Sequence, residues 1–124
     1  MIFIDRSIPK PVANALKQVR EDVSWLEDHF LHDQTDDGWI SIVGERGWLA
    51  ITRDKKILTR PGEIDAWMRN GAGGFIVGQK QDPTKWQYLQ LLAKTLDDME
   101  TIFAETERPF LYTVAKSGAL RRVK

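Results

Sequence analysis

The sequence contains no cysteine. That excludes disulfide staples and thiolate metal sites, and it agrees with a reducing compartment. Long apolar runs are also missing: none approaches the roughly 20 residues that a helix needs to cross a bilayer. The opening Met-Ile-Phe-Ile-Asp-Arg meets a charge at its fifth residue. Neither export nor membrane insertion is expected, and the cytoplasm is the expected location. Charge of one sign is not in excess. Eighteen basic residues balance eighteen acidic ones, so affinity for a polyanion such as RNA would have to come from a local basic patch and not from the field of the whole molecule. Histidine is scarce. His29 and His32 stand three apart in a polar loop with surplus acids, where solvation or hydrogen bonding is expected in preference to chelation. There is no internal repeat, low-complexity segment or linker. With 124 residues and 42% hydrophobic content, residues 1–124 are expected to form a single domain around one compact core.

What is present alternates between two periodicities. Ile2 to Ile4 is a short apolar run that stops at Asp5, as a buried strand does where it emerges at a sheet edge. Pro9 and Pro11 allow a helix to begin, with Val12, Leu16 and Val19 at helical spacing. Val23 to Leu26 predicts a second strand. Thr35, Asp36 and Asp37 offer caps for a helix whose inner face carries Trp39, Ile40 and Val43 and which ends at Arg46-Gly47. Trp48 to Thr52 reads as a buried strand running into Arg53-Asp54-Lys55-Lys56, so the pattern of the first strand repeats. A helix from Pro61 through Met68 and a strand from Gly74 to Val77 follow. The glycine pair Gly73-Gly74 lies between a helix and a strand, so it makes no dinucleotide fingerprint. The longest helix is expected from Asp82-Pro83, with Trp86, Leu89, Leu92, Ala93, Leu96, Met99, Ile102 and Phe103 on one side. The tail, from Pro109, predicts a strand and a closing hairpin. Strands alternating with helices imply an α/β fold, a three-layer α/β/α sandwich with a mainly parallel central sheet joined by right-handed crossovers. Trp39, Trp48, Trp67 and Trp86 fall on apolar faces and are expected in the core, whereas Trp25 can be read either way.

In an open α/β sheet, ligands bind beyond the carboxyl ends of the parallel strands. Asp5 and Asp54 both sit at such ends, and Asp36, at the start of a crossover helix, would project toward the same edge. Like charges held close together repel, and a cation relieves the cost. With oxygen ligands only, that cation should be hard, Mg2+ or Mn2+, and phosphodiester hydrolysis is the natural reaction. Each residue also has a plain structural role: an Asp after a strand often makes a turn, and Asp36 or Asp37 can simply cap. Arg6, Arg53, Lys55, Lys56 and Arg60 surround the proposed edge, with Arg6, Arg53 and Lys55 the expected phosphate ligands. Taken singly, each is as well explained by neutralising a nearby acid. Lys116, Arg121, Arg122 and Lys124 either extend that surface or meet an acidic partner.

Phe-Ile-Asp-Arg at 3 to 6, Glu-Asp-His-Phe at 27 to 30, Thr-Asp-Asp-Gly-Trp at 35 to 39 and Arg-Gly-Trp-Leu-Ala-Ile-Thr-Arg-Asp-Lys at 46 to 55 together resemble the short PIN-like domains related to VapC-type toxins. In that family an Asp ends the first strand, a second acid begins a helix before the central strand, and a Thr-Arg/Lys-Asp follows that strand. Asp5, Asp36 and Asp54 match these positions. The resemblance implies a magnesium- or manganese-dependent ribonuclease, often the toxin half of a toxin–antitoxin pair, inhibited by a cognate antitoxin protein and frequently a homodimer. The pattern departs from the family at the fourth acid, for which Glu63, Asp65 and Asp82 are poor candidates, so a second metal is in doubt. Two other readings compete. One is a non-catalytic module that keeps the fold and binds RNA or a protein partner. The other is a phosphoacceptor receiver-like domain, disfavoured because Asp5 stands without an acidic neighbour; a purely structural protein ranks last.

Overall fold

A computed structural model describes residues 1–25, 36–78 and 82–124; of Asp36 and Asp37 it describes the backbone alone. His29, His32 and the Glu-Asp-His-Phe motif lie outside the described residues. The chain runs β1 (Ile2–Ile4), α1 (Lys10–Lys17), β2 (Val23–Trp25), α2 (Asp36–Arg46), β3 (Leu49–Thr52), α3 (Lys56–Thr59), α4 (Glu63–Arg69), β4 (Gly73–Val77), α5 (Lys85–Glu105), β5 (Phe110–Val114) and β6 (Leu120–Arg122). The strands form one sheet in the order β2-β1-β3-β4-β5-β6, parallel throughout except for β6, which pairs antiparallel with β5. The fold is therefore the α/β architecture expected, with a mainly parallel sheet.

Strand side chains alternate between the two faces with period two, and each face has its own helices. Ile2, Ile4, Leu49, Ile51, Phe75, Val77 and Phe110 pack with α1 and α5 in one apolar cluster. Phe3, Ala50, Ile76 and Leu111 pack with Trp39, Ile40 and Val43 of α2, Ile57 of α3 and Trp67 of α4 in the other. Every residue of β1, β3 and β4 is buried, which explains why these strands read as continuous apolar runs. Trp67 adds a directional bond to its burial: its indole Nε1–H donates to the Phe110 carbonyl at 2.9 Å.

Several features differ from what the sequence led us to expect, four of them here. The segment after Asp54 folds into the short helix α3 before α4 begins, instead of one helix opening at Pro61. Val19 lies beyond the end of α1 and is 79% exposed. Trp86 is 65% exposed and Ala93 is exposed, because the buried stripe of α5 runs through Tyr88, Leu91, Leu92, Thr95, Leu96 and Met99. Handedness is the fourth. The step from β1 to β2 and the step from β4 to β5 go in opposite directions across the sheet, yet α1 and α5 cover the same face. The crossover through α5 thus has the opposite hand to the one through α1, whereas those through α2 and through α3 and α4 share the hand of α1. A single hand for all crossovers was the expectation.

Candidate functional site

Strand order fixes where a site can form. From β1 the chain steps outward to β2, then returns past β1 to β3, so the connections leave the carboxyl ends of β1 and β3 in opposite directions. A crevice opens at such a switch point. Asp5 follows β1 and Asp54 follows β3 by two residues. Both line one open cleft of about 370 Å³, together with Arg6, Ser7 and Lys56.

Asp5 is only 3% exposed. Burying a carboxylate costs free energy unless donors replace the lost water, and two hydroxyls do so: Ser7 Oγ donates to Asp5 Oδ2 at 2.7 Å and Thr52 Oγ1 donates to the same oxygen at 2.8 Å. The direction of these bonds is set by the backbone. The Arg53 N–H donates to Ser7 Oγ at 2.9 Å and the Asp54 N–H donates to Thr52 Oγ1 at 3.0 Å. Each hydroxyl has one proton, so a hydroxyl that accepts from an amide turns that proton toward Asp5. The 3.2 Å approach of Ser7 Oγ to Thr52 Oγ1 is then a contact between two groups already committed elsewhere. The Asp5 N–H donates to the Ile51 carbonyl at 2.9 Å, which locks the strand ends together. The network fixes the Asp5 carboxylate and ties it to the loop that carries Asp54.

Asp54 is half-buried, and its Oδ1 accepts the Lys56 N–H at 3.0 Å. That is the bond of an ordinary turn aspartate at the start of a short helix, so the structural role considered for Asp54 is real and coexists with its place in the cleft. Asp36 opens α2, the helix that follows the carboxyl end of β2; its side chain lies outside what is described. Among the described residues, no group of three His, Cys, Asp or Glu is arranged to hold a metal ion.

The basic residues separate. Arg6 lines the cleft. Arg53 turns to the α5 side, where its Nη1 pairs with Asp82 at 2.6 Å and the guanidinium lies beside the Tyr88 hydroxyl. Burial raises the Tyr88 phenol above its ordinary pKa, and the Arg53 charge pulls in the other direction. Lys55 lines a neighbouring groove with Leu58 and Arg121. In the cleft the cation next to Asp54 is Lys56. Of the candidate fourth acids, Glu63 pairs with Arg60 at 3.8 Å and Asp82 pairs with Arg53; neither they nor Asp65 line the cleft among the described residues.

Ser7 and Thr52 are the residues that sequence reasoning missed. They lie 45 positions apart, and no local pattern joins them. A small hydroxyl side chain close to each strand-end aspartate was the available signal.

A family model described as a PIN like domain matches residues 1–79, which is 79 of the 124 residues. No curated protein and no solved structure matches the chain.

Proposed function

The chain belongs to the PIN-like domain family, and from that premise we propose that it is a metal-dependent endoribonuclease, cutting RNA phosphodiester bonds at the Asp5–Asp54 cleft. The observation that carries the proposal is the Asp5 carboxylate, buried yet held by two oriented hydroxyls at the switch point of the sheet. The donor set is all oxygen, which fits Mg2+ or Mn2+ and not a softer ion. Asp5 and Asp54 would hold that ion, with Asp36 as a third ligand or as the group that orients the attacking water. A divalent ion held there would supply Lewis-acid chemistry, polarising the phosphate and lowering the pKa of a nearby water.

The chain's own residues contribute position and charge. Arg6 and Lys56 line the same cleft as the two aspartates and attract the phosphate. The hydroxyl network holds Asp5 in one geometry, so little reorganisation remains when the substrate arrives. Hydrolysis adds water across one P–O bond: the water oxygen joins phosphorus, and the departing sugar oxygen leaves with a proton. The role of toxin in a toxin–antitoxin pair, with a cognate antitoxin as partner and homodimer formation, is proposed from the resemblance to VapC-type toxins alone, and a cytoplasmic location from the cysteine-free sequence. Among the described residues no helix is long and apolar enough to cross a membrane.

One observation favours a second reading. Only two carboxylates line the described cleft, and a non-catalytic PIN-like module that binds RNA or a protein without cutting would need no more. Manganese titration calorimetry separates the two. Saturable binding by the wild type, lost in Asp5→Asn and in Asp54→Asn, together with metal-dependent cleavage of single-stranded RNA reduced about 100-fold or more in both variants, is the expected outcome. Binding indifferent to both substitutions would leave the fold without the chemistry.

A further inference from the structure

Beside the cleft, at the carboxyl ends of β4 and β5, lies a second and larger groove of about 540 Å³. Lys55 and Leu58 form one wall, from the α3 side. The opposite wall is Thr113 and Val114 of β5, with Ala119 and Arg121 from the hairpin that closes the sheet. Among the described residues its lining carries the cations Lys55 and Arg121 and no acid, with Leu58 and Ala119 as its accessible apolar side chains. An anion with an apolar body suits that lining.

The position narrows the class. Lys55 and Lys56 are consecutive residues at the start of α3, and they line the groove and the cleft respectively. The two depressions therefore meet at α3 and run along one edge of the sheet. β5 is two strands from β3, about 10 Å away, so one extended polyanion can occupy both. An acidic peptide would satisfy the two cations equally well, and what favours a nucleic acid is continuity with the cleft that the ribonuclease reading assigns to a phosphodiester. The hairpin also stands outside the family match, which ends at residue 79. Half of this groove is consequently built by a part of the chain to which the family assigns nothing.

We propose that this groove is a nucleotide subsite: it takes the nucleotide of single-stranded RNA next to the one whose phosphate enters the cleft. The phosphate lies between Lys55 and Arg121, and the ribose or base lies against Leu58 and Ala119. This assignment rests on the ribonuclease reading, and its test is separable from the test of that reading. Binding of an end-labelled oligouridylate of about eight nucleotides is measured in EDTA, where no cutting occurs, for the wild type, Arg121→Gln, Arg121→Lys and Leu58→Ala. Arg121 is exposed on an edge strand, so its variants are expected to fold, and unchanged thermal midpoints check this.

The expected result is a loss of about 10-fold in affinity for Arg121→Gln, most of it restored in Arg121→Lys, with a weaker loss for Leu58→Ala. The slope of log affinity against log salt should also fall by about 0.7 in Arg121→Gln, the value for one phosphate contact on a single strand. A purely structural role for Arg121 would leave that slope alone. Affinity and slope unchanged in Arg121→Gln would overturn the subsite, as would polyglutamate competing as well as the oligonucleotide. Manganese binding and its loss in Asp5→Asn report on the cleft independently, so failure of either assignment is visible without the other.

Discussion

Gly44 lies inside α2, where an alanine would ordinarily be better by up to about 1 kcal/mol. Here a Cβ would come within 1.8 Å of the Asn70 carbonyl oxygen and 2.8 Å of its carbon. Those are backbone atoms at the end of α4, and they cannot swing aside as a side chain can. Overpacking of this kind costs about 1–3 kcal/mol, so the steric cost wins and Gly44→Ala should lower stability by about 2 kcal/mol in urea unfolding. An unchanged or higher midpoint would mean that the helices do not approach this closely. Arg108 reads the same close approach differently: its Nη1 donates to the Gly44 carbonyl at 2.9 Å and to the Gly71 carbonyl at 3.3 Å, placing a cation near the carboxyl ends of α2 and α4. Neither contact could be read from sequence, since residues 44, 70 and 108 are joined by no periodicity.

Asp22 permits a prediction in pH. The Arg20 guanidinium, hydrogen-bonded at 3.0 Å, holds its carboxyl below the ordinary 3.8, and partial burial opposes that shift. Arg20 also pairs with Glu100 and approaches Asp97 at 3.6 Å, clamping the end of α1 to α5. A carboxyl whose pKa is depressed by folding adds stability above its unfolded pKa and loses it as pH falls through the folded one. The contribution should therefore be present at neutral pH and fade below about pH 4. Asp22→Asn should flatten the acid limb of a plot of thermal midpoint against pH and leave its neutral region nearly parallel. The effect should be small, because the Asp22 side chain is 43% exposed.

At the scale of elements, α5 shows what a periodic pattern does and does not specify. Its existence was plain from the spacing of Leu92, Leu96 and Met99, but its start was misplaced at Asp82-Pro83. The true cap is Thr84, whose side chain accepts the Gln87 N–H at 3.1 Å while the Gln87 side chain accepts the Thr84 N–H at 2.9 Å. This reciprocal pair is a Thr-x-x-Gln signature available in the sequence. The exposure of Trp86 has a separate cause. At about 100° per residue, Trp86 points well away from the stripe that begins at Tyr88, wherever the helix starts. Thr84→Ala should cost about 1 kcal/mol, with faster hydrogen exchange at the Gln87 amide and little change in the last turns of the helix. Uniform loss of protection along α5 would show that the cap is not what starts it. The short helix α3 was missed for another reason: four residues that begin Lys-Ile-Leu-Thr carry too little pattern to separate a turn from a helix.

For the whole molecule, the strand ends were legible and the convergence was legible only in part. Apolar runs broken by Asp5 and Asp54 told where strands emerge, because a strand covered on both faces cannot hide a charge in its middle. They could not tell which strands are neighbours. The order β2-β1-β3 brings the two aspartates to one cleft, while the loop geometry sends Arg53 to Asp82 and Lys55 to the adjoining groove. Adjacent residues in a loop diverge in direction, so a cluster of basic residues in sequence became three separate surfaces. The zero formal net charge gives this division its importance, since the local cations alone decide where a polyanion settles.

The antiparallel strand β6 has one further consequence. A parallel sheet that stopped at β5 would present a buried-type apolar strand, Phe-Leu-Tyr-Thr-Val, as an open edge with unpaired amides and carbonyls. Instead the outermost strand is three residues long and carries Arg121 and Arg122, both exposed. A second molecule approaching edge to edge through β6 would set like charges opposite one another, so the strand that ends the sheet also resists its extension into an aggregate.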